Sequence, residues 1–406
     1  MRSSTFNSEQ RPVTGPWLRT WVLTFAIVAV VLAGWEAALR QMGYRPTVVD
    51  DKTLWSIQRD RVYSENGERV IVLLGDCRMQ LGVVPETLRK RLPDYRTVQL
   101  AVEQTSPIAT LRDLASDEQF DGTVVCAVNP RLLCRDLWDS QQAYVDHYHE
   151  RYRFENGLHR RMSTWVQDTF AAVHPKLRLD DLVVHLVKEG RLPEPYHIEV
   201  EPDRTHRGDY SDVDLQAHQV YALGQSQSWR TGRTLPAPPK WLEDTREIER
   251  WVQAIQCRGG EVVFVRMPTT GALYADDQFA FPKQRYWDAF ADQTAALCIH
   301  FKDWPQLASF DCPDLSHLDQ TDAPQFTDEL ACILADQGVL LAPVDTLRLW
   351  AKADDKEPPN DRPSMSREQT SADNESADEP TDPAEQNEYE DEDDWPELPA
   401  SIPSPG

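Results

Sequence analysis

Two short segments about 240 residues apart carry residue types that can do chemistry together. Leu73-Leu74-Gly75-Asp76-Cys77-Arg78 ends an apolar run, and Asp314-Leu315-Ser316-His317-Leu318 comes late in the chain. A Gly-Asp-nucleophile turn directly after a buried strand presents a side chain at the carboxyl edge of a sheet. An Asp-x-x-His turn at that edge supplies an imidazole and the carboxylate that orients it. Cys77, His317 and Asp314 thus have the makings of a nucleophile, a base and an orienter. From three residues away the Asp314 carboxylate can hold one tautomer of the ring. It also stabilises the imidazolium as the other nitrogen takes a proton. A neighbouring histidine can lower a thiol from its ordinary value of about 8.5, so a cysteine is workable as the attacking group. The structural alternatives are a small buried cysteine at Cys77 and a helix-capping role for His317.

These residues need a scaffold that brings the two segments to one edge. The continuous apolar run at residues 69–74 reads as a fully buried parallel strand, and the segments 97–102, 123–128, 261–266 and 297–301 read as further strands. Helical patterns alternate with them at 85–92, 107–115, 242–257, 284–295 and 322–337. Such alternation predicts an α/β fold, a three-layer sandwich with a mostly parallel, flavodoxin-like sheet. Ligands bind outside the carboxyl ends of the strands in such sheets. Cys77 follows the first strand, and Asp314 and His317 follow the last. Asn129 ends the third strand, where it serves either as an oxyanion donor or as a turn residue. Arg78 is placed to bind a substrate anion or to pair with a neighbouring acid. Arg266 ends the fourth strand, where it can touch substrate or position the turn. The alternation stops at about residues 131–240, which read as a helical insertion with helices near 161–173 and 179–188. Asp146-His147-Tyr148-His149-Glu150 reads as a solvated polar face. No metal and no cofactor is expected, since the seven cysteines form no C-x-x-C pair.

The two segments resemble those of the SGNH (GDSL-like) hydrolase superfamily. There a Gly-Asp-Ser turn after the first strand gives the nucleophile and a late Asp-x-x-His gives the rest. Ser316-His317-Leu318-Asp319, followed by Ala323-Pro324-Gln325-Phe326-Thr327, resembles a subgroup of membrane-anchored SGNH-like proteins associated with membrane-bound O-acyltransferases. That resemblance implies an acyl esterase or O-acyltransferase acting on cell-surface glycans through acyl esters. The chain departs from the pattern in three places. Cys77 stands where the superfamily has serine, residues 101–106 lack the second-block glycine, and Val128-Asn129-Pro130 keeps only the asparagine of the third block. Each oxyanion donor contributes roughly 3–4 kcal/mol of transition-state stabilisation, so the erosion leaves a second reading open. In it the chain is a catalytically degenerate binding or assembly subunit of an acylation system.

Residues 17–39 are apolar enough to cross a bilayer, with Trp17, Trp21 and Trp35 at interfacial positions. An uncleaved single-pass anchor is expected rather than a signal peptide. Arg2, Arg11 and, at its N-terminal flank, Arg19 nearly balance Arg40, Arg45 and Lys52 after it. A short N-terminal arm (1–16) that stays inside would place the body on the extracytoplasmic side of an inner or plasma membrane. Residues 40–67 read as a stalk and 68–350 as the α/β domain. The net charge is −25, and residues 351–406 hold 18 acidic against 4 basic residues, or −14, leaving −11 for the remainder. No basic stripe is left to neutralise phosphates, so nucleic acid is not an expected partner. The acidic, Pro- and Ser-rich 351–406 segment cannot bury enough apolar surface to offset its ordering entropy and is expected to be disordered.

Overall fold

The computed structural model describes residues 17–64 and 67–341. The N-terminal arm and the acidic segment, with the expectations made for them, lie outside the described residues. A 25-residue helix α1 (Trp17–Gln41) opens the chain, followed by α2 (Lys52–Arg59) and strand β1 (Arg69–Leu74). Next come α3 (Cys77–Gly82), α4 (Pro85–Arg91), β2 (Tyr95–Gln99), α5 (Ile108–Ser116) and β3 (Thr123–Ala127). The insertion carries α6 (Gln142–Asp146), α7 (Phe154–Thr169), α8 (Leu179–Glu189), β4 (Ile198–Val200), β5 (His206–Gly208) and α9 (Leu215–Arg230). The alternation resumes with α10 (Pro238–Gln256), β6 (Glu261–Arg266), α11 (Gly271–Ala280), α12 (Trp287–Ala291) and β7 (Leu297–His300). The short α13 (Pro305–Ala308) and then α14 (Ala323–Asp336) complete the described residues.

Five strands form one sheet in the order β2-β1-β3-β6-β7, and every pairing is parallel. The chain is therefore an α/β protein with a parallel sheet. Alternate residues of β1 explain its unbroken apolar run. Val70, Val72 and Leu74 join one core with Leu111, Ile248 and Val252. Ile71 and Leu73 join a second core with Leu88, Phe326 and Leu330. Helices cover both faces, so no residue of the strand interior is left for solvent. The order reverses at β1, whose neighbours are β2 and β3, and the ends of β1 and β3 flank the crevice where such sheets bind ligands.

The structure differs from expectation in three places. The 131–240 insertion is not wholly helical, because β4 and β5 pair antiparallel with Ile198 opposite Gly208. Residues 40–67 do not form a free stalk. Within α2, Trp55 is fully buried with its Nε1 donating to Leu100 O at 2.9 Å, and Arg59 pairs with Asp113 and Asp117 at 2.8 Å each. The helix expected at 284–295 is a 3-10 turn (Lys283–Arg285) followed by the short α12, and α11 precedes it.

The end of α1 is seated on the insertion. Glu36 accepts hydrogen bonds from the Ala171 and Ala172 N–H at 3.0 and 2.9 Å, and Arg40 donates to Thr169 O at 2.9 Å. Leu39 packs with Tyr44 and Ala171 in a small core of its own. Upstream of that seat the helix is exposed along its apolar length. At about 1.5 Å per residue it is long enough for a bilayer core of about 30 Å.

Candidate active site

The turn after β1 is built around Gly75. Its φ of +150° is rarely taken by residues with a side chain, and an added Cβ would lie 2.8 Å from Ala127 Cβ and 2.9 Å from Met79 Cβ. Glycine lets β1 and β3 approach while the chain turns into α3. Asp76 caps that helix by accepting from Arg78 N–H at 3.0 Å, which leaves Cys77 as the first helical residue. The late segment is a second tight turn, with Leu315 at φ +70° and the Ser316 and His317 N–H groups both donating to Asp314 Oδ1, at 2.9 and 2.7 Å.

These two turns meet. His317 Nδ1 lies 2.7 Å from Asp314 Oδ2, and its Nε2 lies 3.0 Å from Cys77 Sγ. Burial disfavours the imidazolium, but the Cys77 sulfur and the Asp314 carboxylate outweigh it and push His317 up to about 10. Burial also opposes ionisation of Asp314, yet its bonds to His317 and to the Ser316 amide hold it well below the usual carboxylate range. A charged carboxylate, an imidazole that readily holds a proton and a sulfur within hydrogen-bond reach thus form one chain.

The other sequence candidates are placed differently. Arg78 turns back to Asp76 at 3.2 Å, while its Nε is buried without a hydrogen-bond partner among the described residues. Its N–H is engaged by the Asp76 cap and so is not open to a developing oxyanion. The Cys77 N–H has no hydrogen-bond partner among the described residues. Asn129 is buried at the end of β3 with Oδ1 accepting from Leu132 N–H at 2.9 Å, which leaves its Nδ2 without a protein partner among those residues. Arg266, read as either touching substrate or positioning the turn, is 3% exposed and held by Met267 O, Thr269 Oγ1 and Asp277 at 2.8, 3.1 and 2.5 Å. Its guanidinium ties the turn after β6 to α11, because two acceptors in that turn and the Asp277 carboxylate on α11 pair a buried cation.

The second block lacks glycine but keeps a glycine-like backbone. Gln104 sits at φ +55°, and Val102 N–H donates to Gly75 O at 3.1 Å, tying this loop to the nucleophile turn. Beneath it lies a network that sequence reasoning missed. The fully buried Arg204, itself at φ +70°, donates to both Asp50 oxygens at 2.6 and 2.8 Å and to Gln99 O and Ala101 O at 2.9 and 2.8 Å. His206 lies 3.2 Å from Gln80 and 3.4 Å from Glu103. Tyr210 was also missed; its hydroxyl donates to Asp314 Oδ2 at 3.1 Å. His197 packs on Tyr210, and burial together with His218 pushes it down to about 4. Arg131 lies over the Trp229 ring at 4.6 Å and lines a small cavity with Asn129, Arg266, Lys283 and His300. All of these come from the insertion or its edges, where no local pattern marks them.

None of the seven cysteines forms a disulfide. Burial pushes the Cys134, Cys298 and Cys312 thiols up to about 12 and Cys332 to about 11. Cys126 is raised further still by burial.

The fold and the two turns define a parallel α/β protein with a Cys-His-Asp hydrogen-bonded chain at the carboxyl edge of its sheet. No protein-family model matches the sequence, and no curated protein matches it. Among solved structures it is similar to that of TesA with a TM-score of 0.32 and 12% identity, over 67% of this chain and 100% of that one. A likeness that distant carries no argument about chemistry.

Proposed function

We propose that the chain is a membrane-anchored acyl-transfer enzyme of SGNH-like, three-layer architecture, with Cys77 as nucleophile, His317 as base and then acid, and Asp314 as orienter. The observation that carries this reading is the continuous Asp314–His317–Cys77 chain of 2.7 and 3.0 Å contacts. The thiolate attacks the carbonyl carbon of an acyl ester, and the carbonyl oxygen takes the negative charge. The Cys77 N–H and the Asn129 amide are the groups available to that oxygen. Collapse breaks the C–O bond, His317 gives its proton to the departing alcohol, and a thioester to Cys77 remains. Water or a glycan hydroxyl then attacks, His317 takes its proton, and the thiolate leaves. The substrates proposed from the family resemblance are acyl esters and cell-surface glycans. The proposed partner is a membrane-bound O-acyltransferase, with the body on the extracytoplasmic side.

One observation favours the alternative of a non-catalytic binding or assembly subunit. The Arg78 N–H, a natural second oxyanion donor, is consumed by the Asp76 cap. Iodoacetamide separates the two readings, because only the thiolate reacts with it. The enzyme reading expects Cys77 to be alkylated well ahead of the exposed Cys257, and His317→Ala to abolish that lead. Equal rates at Cys77 and Cys257 would transfer the chain to the binding-subunit class.

A further inference from the structure

We infer that α7 and α8 form a second membrane contact, an apolar face lying in the headgroup–acyl boundary of the bilayer beside α1. The inner face of α7 is fixed to the domain. Gly157, Arg160 and Thr164 are buried there, and the Arg160 guanidinium reaches Asp51 at 3.3 Å and also bonds Val49 O. Its outer face is apolar and open: Phe154, Leu158, Met162 and Trp165 are 75, 49, 65 and 65% exposed. At about 100° per residue these four fall within about 80° of arc, a stripe rather than a scatter. Val183, Val184, Leu186 and Val187 on α8 are 55, 48, 45 and 80% exposed.

Exposed apolar surface of this extent marks a docking surface, and the seat of α1 points to the bilayer as what covers this one. The turn between the two helices is where α1 is seated, through Glu36 on the Ala171 and Ala172 N–H groups and Arg40 on Thr169 O. If α1 crosses the bilayer, its membrane exit lies at Trp35–Glu36, and the 169–172 turn sits at headgroup level. Phe170 and Val173, 42 and 41% exposed, then meet that level directly, and Trp165 packs edge-on against Phe170 at 6.5 Å. Tryptophan and phenylalanine on one face of a surface helix suit the boundary between headgroups and acyl chains. This inference rests on the anchor reading of α1 but not on the acyl-transfer chemistry.

The test uses the full chain in vesicles of phosphatidylcholine and phosphatidylglycerol doped with a diazirine-tailed phosphatidylcholine. After illumination and proteolysis, lipid adducts are mapped by mass spectrometry. Adducts are expected on peptides covering 154–173 and 183–187 as well as on 17–35. The combined F154S, L158S, M162S and W165S substitutions should remove the α7 adducts and leave those on 17–35, with Cys77 alkylation reporting an intact fold. Adducts on 17–35 alone in the wild-type chain would overturn the inference while keeping the anchor. Adducts on neither region would remove both the inference and the anchor.

Discussion

Asp314 satisfies four donors with two oxygens: the Ser316 and His317 N–H groups on Oδ1, and the Tyr210 hydroxyl and the His317 ring on Oδ2. An asparagine there would place an NH₂ against some of these donors and select the wrong tautomer of His317. Asp314→Asn is therefore expected to slow ester turnover by about 10²–10⁴-fold with the fold intact, measured on a nitrophenyl acetate; turnover within a few-fold of wild type would mean that the carboxylate does not orient the ring. Tyr210→Phe removes a hydrogen bond to a buried charge, a loss of about 1.5–3 kcal/mol in urea unfolding, and an unchanged midpoint would show that water replaces the hydroxyl. The pH dependence has a definite sign. His317 is raised, so its stabilisation is complete below the ordinary histidine value of about 6.5 and is lost as pH rises toward about 10. Asp314 is lowered, so its contribution is present above about 3.9 and is lost as pH falls below that. Melting temperatures across the alkaline limb should fall more for wild type than for His317→Gln, and parallel curves would contradict the assignment. The two segments were legible because each is short and local: Cys77 sits in the turn directly after β1, and Asp314 and His317 share one tight turn between α13 and α14. Tyr210 was not, because its partner is 104 residues away and nothing local marks a tyrosine that bonds a carboxylate.

The central strands β1, β3 and β6 are buried almost throughout and announce themselves as apolar runs, whereas the edge strands β2 and β7 carry half-buried residues, and β2 starts at Tyr95, two residues before the expected 97–102 segment. The β4–β5 hairpin was not legible. Its strands are three residues each, Ile198-Glu199-Val200 and His206-Arg207-Gly208, and mix polar with apolar residues. Long-range bonds hold it instead, such as Val48 N–H on Val200 O at 3.0 Å and Arg204 on Asp50. The same distant contacts turn residues 40–64 from a stalk into part of the domain. At the nucleophile turn the element-scale test is Gly75→Ala. The new Cβ would meet Ala127 and Met79 Cβ atoms inside 3.0 Å, and at φ +150° the backbone is strained as well. Overpacking of this kind costs typically about 1–3 kcal/mol. Urea unfolding should register that loss together with slower Cys77 alkylation, whereas an unchanged midpoint would mean that β1 and β3 can part without penalty.

At the scale of the whole molecule, charge and anchoring pull the same way. The net charge of −25 disfavours approach to anionic polymers, while α1 exposes apolar surface along its length and is long and apolar enough to cross a membrane. The proposed function needs an acyl donor and then an acceptor at the carboxyl edge of the sheet, an order of events that requires an acyl group resting on the protein in between. The direct measurement is peptide mass spectrometry of the full chain after mixing with a nitrophenyl acetate and quenching in acid. An acetyl thioester is expected on the peptide bearing Cys77, absent in Cys77→Ala and strongly diminished in His317→Ala. Acetylation that is no greater at Cys77 than at Cys257, or that persists unchanged without His317, would contradict the proposed chemistry.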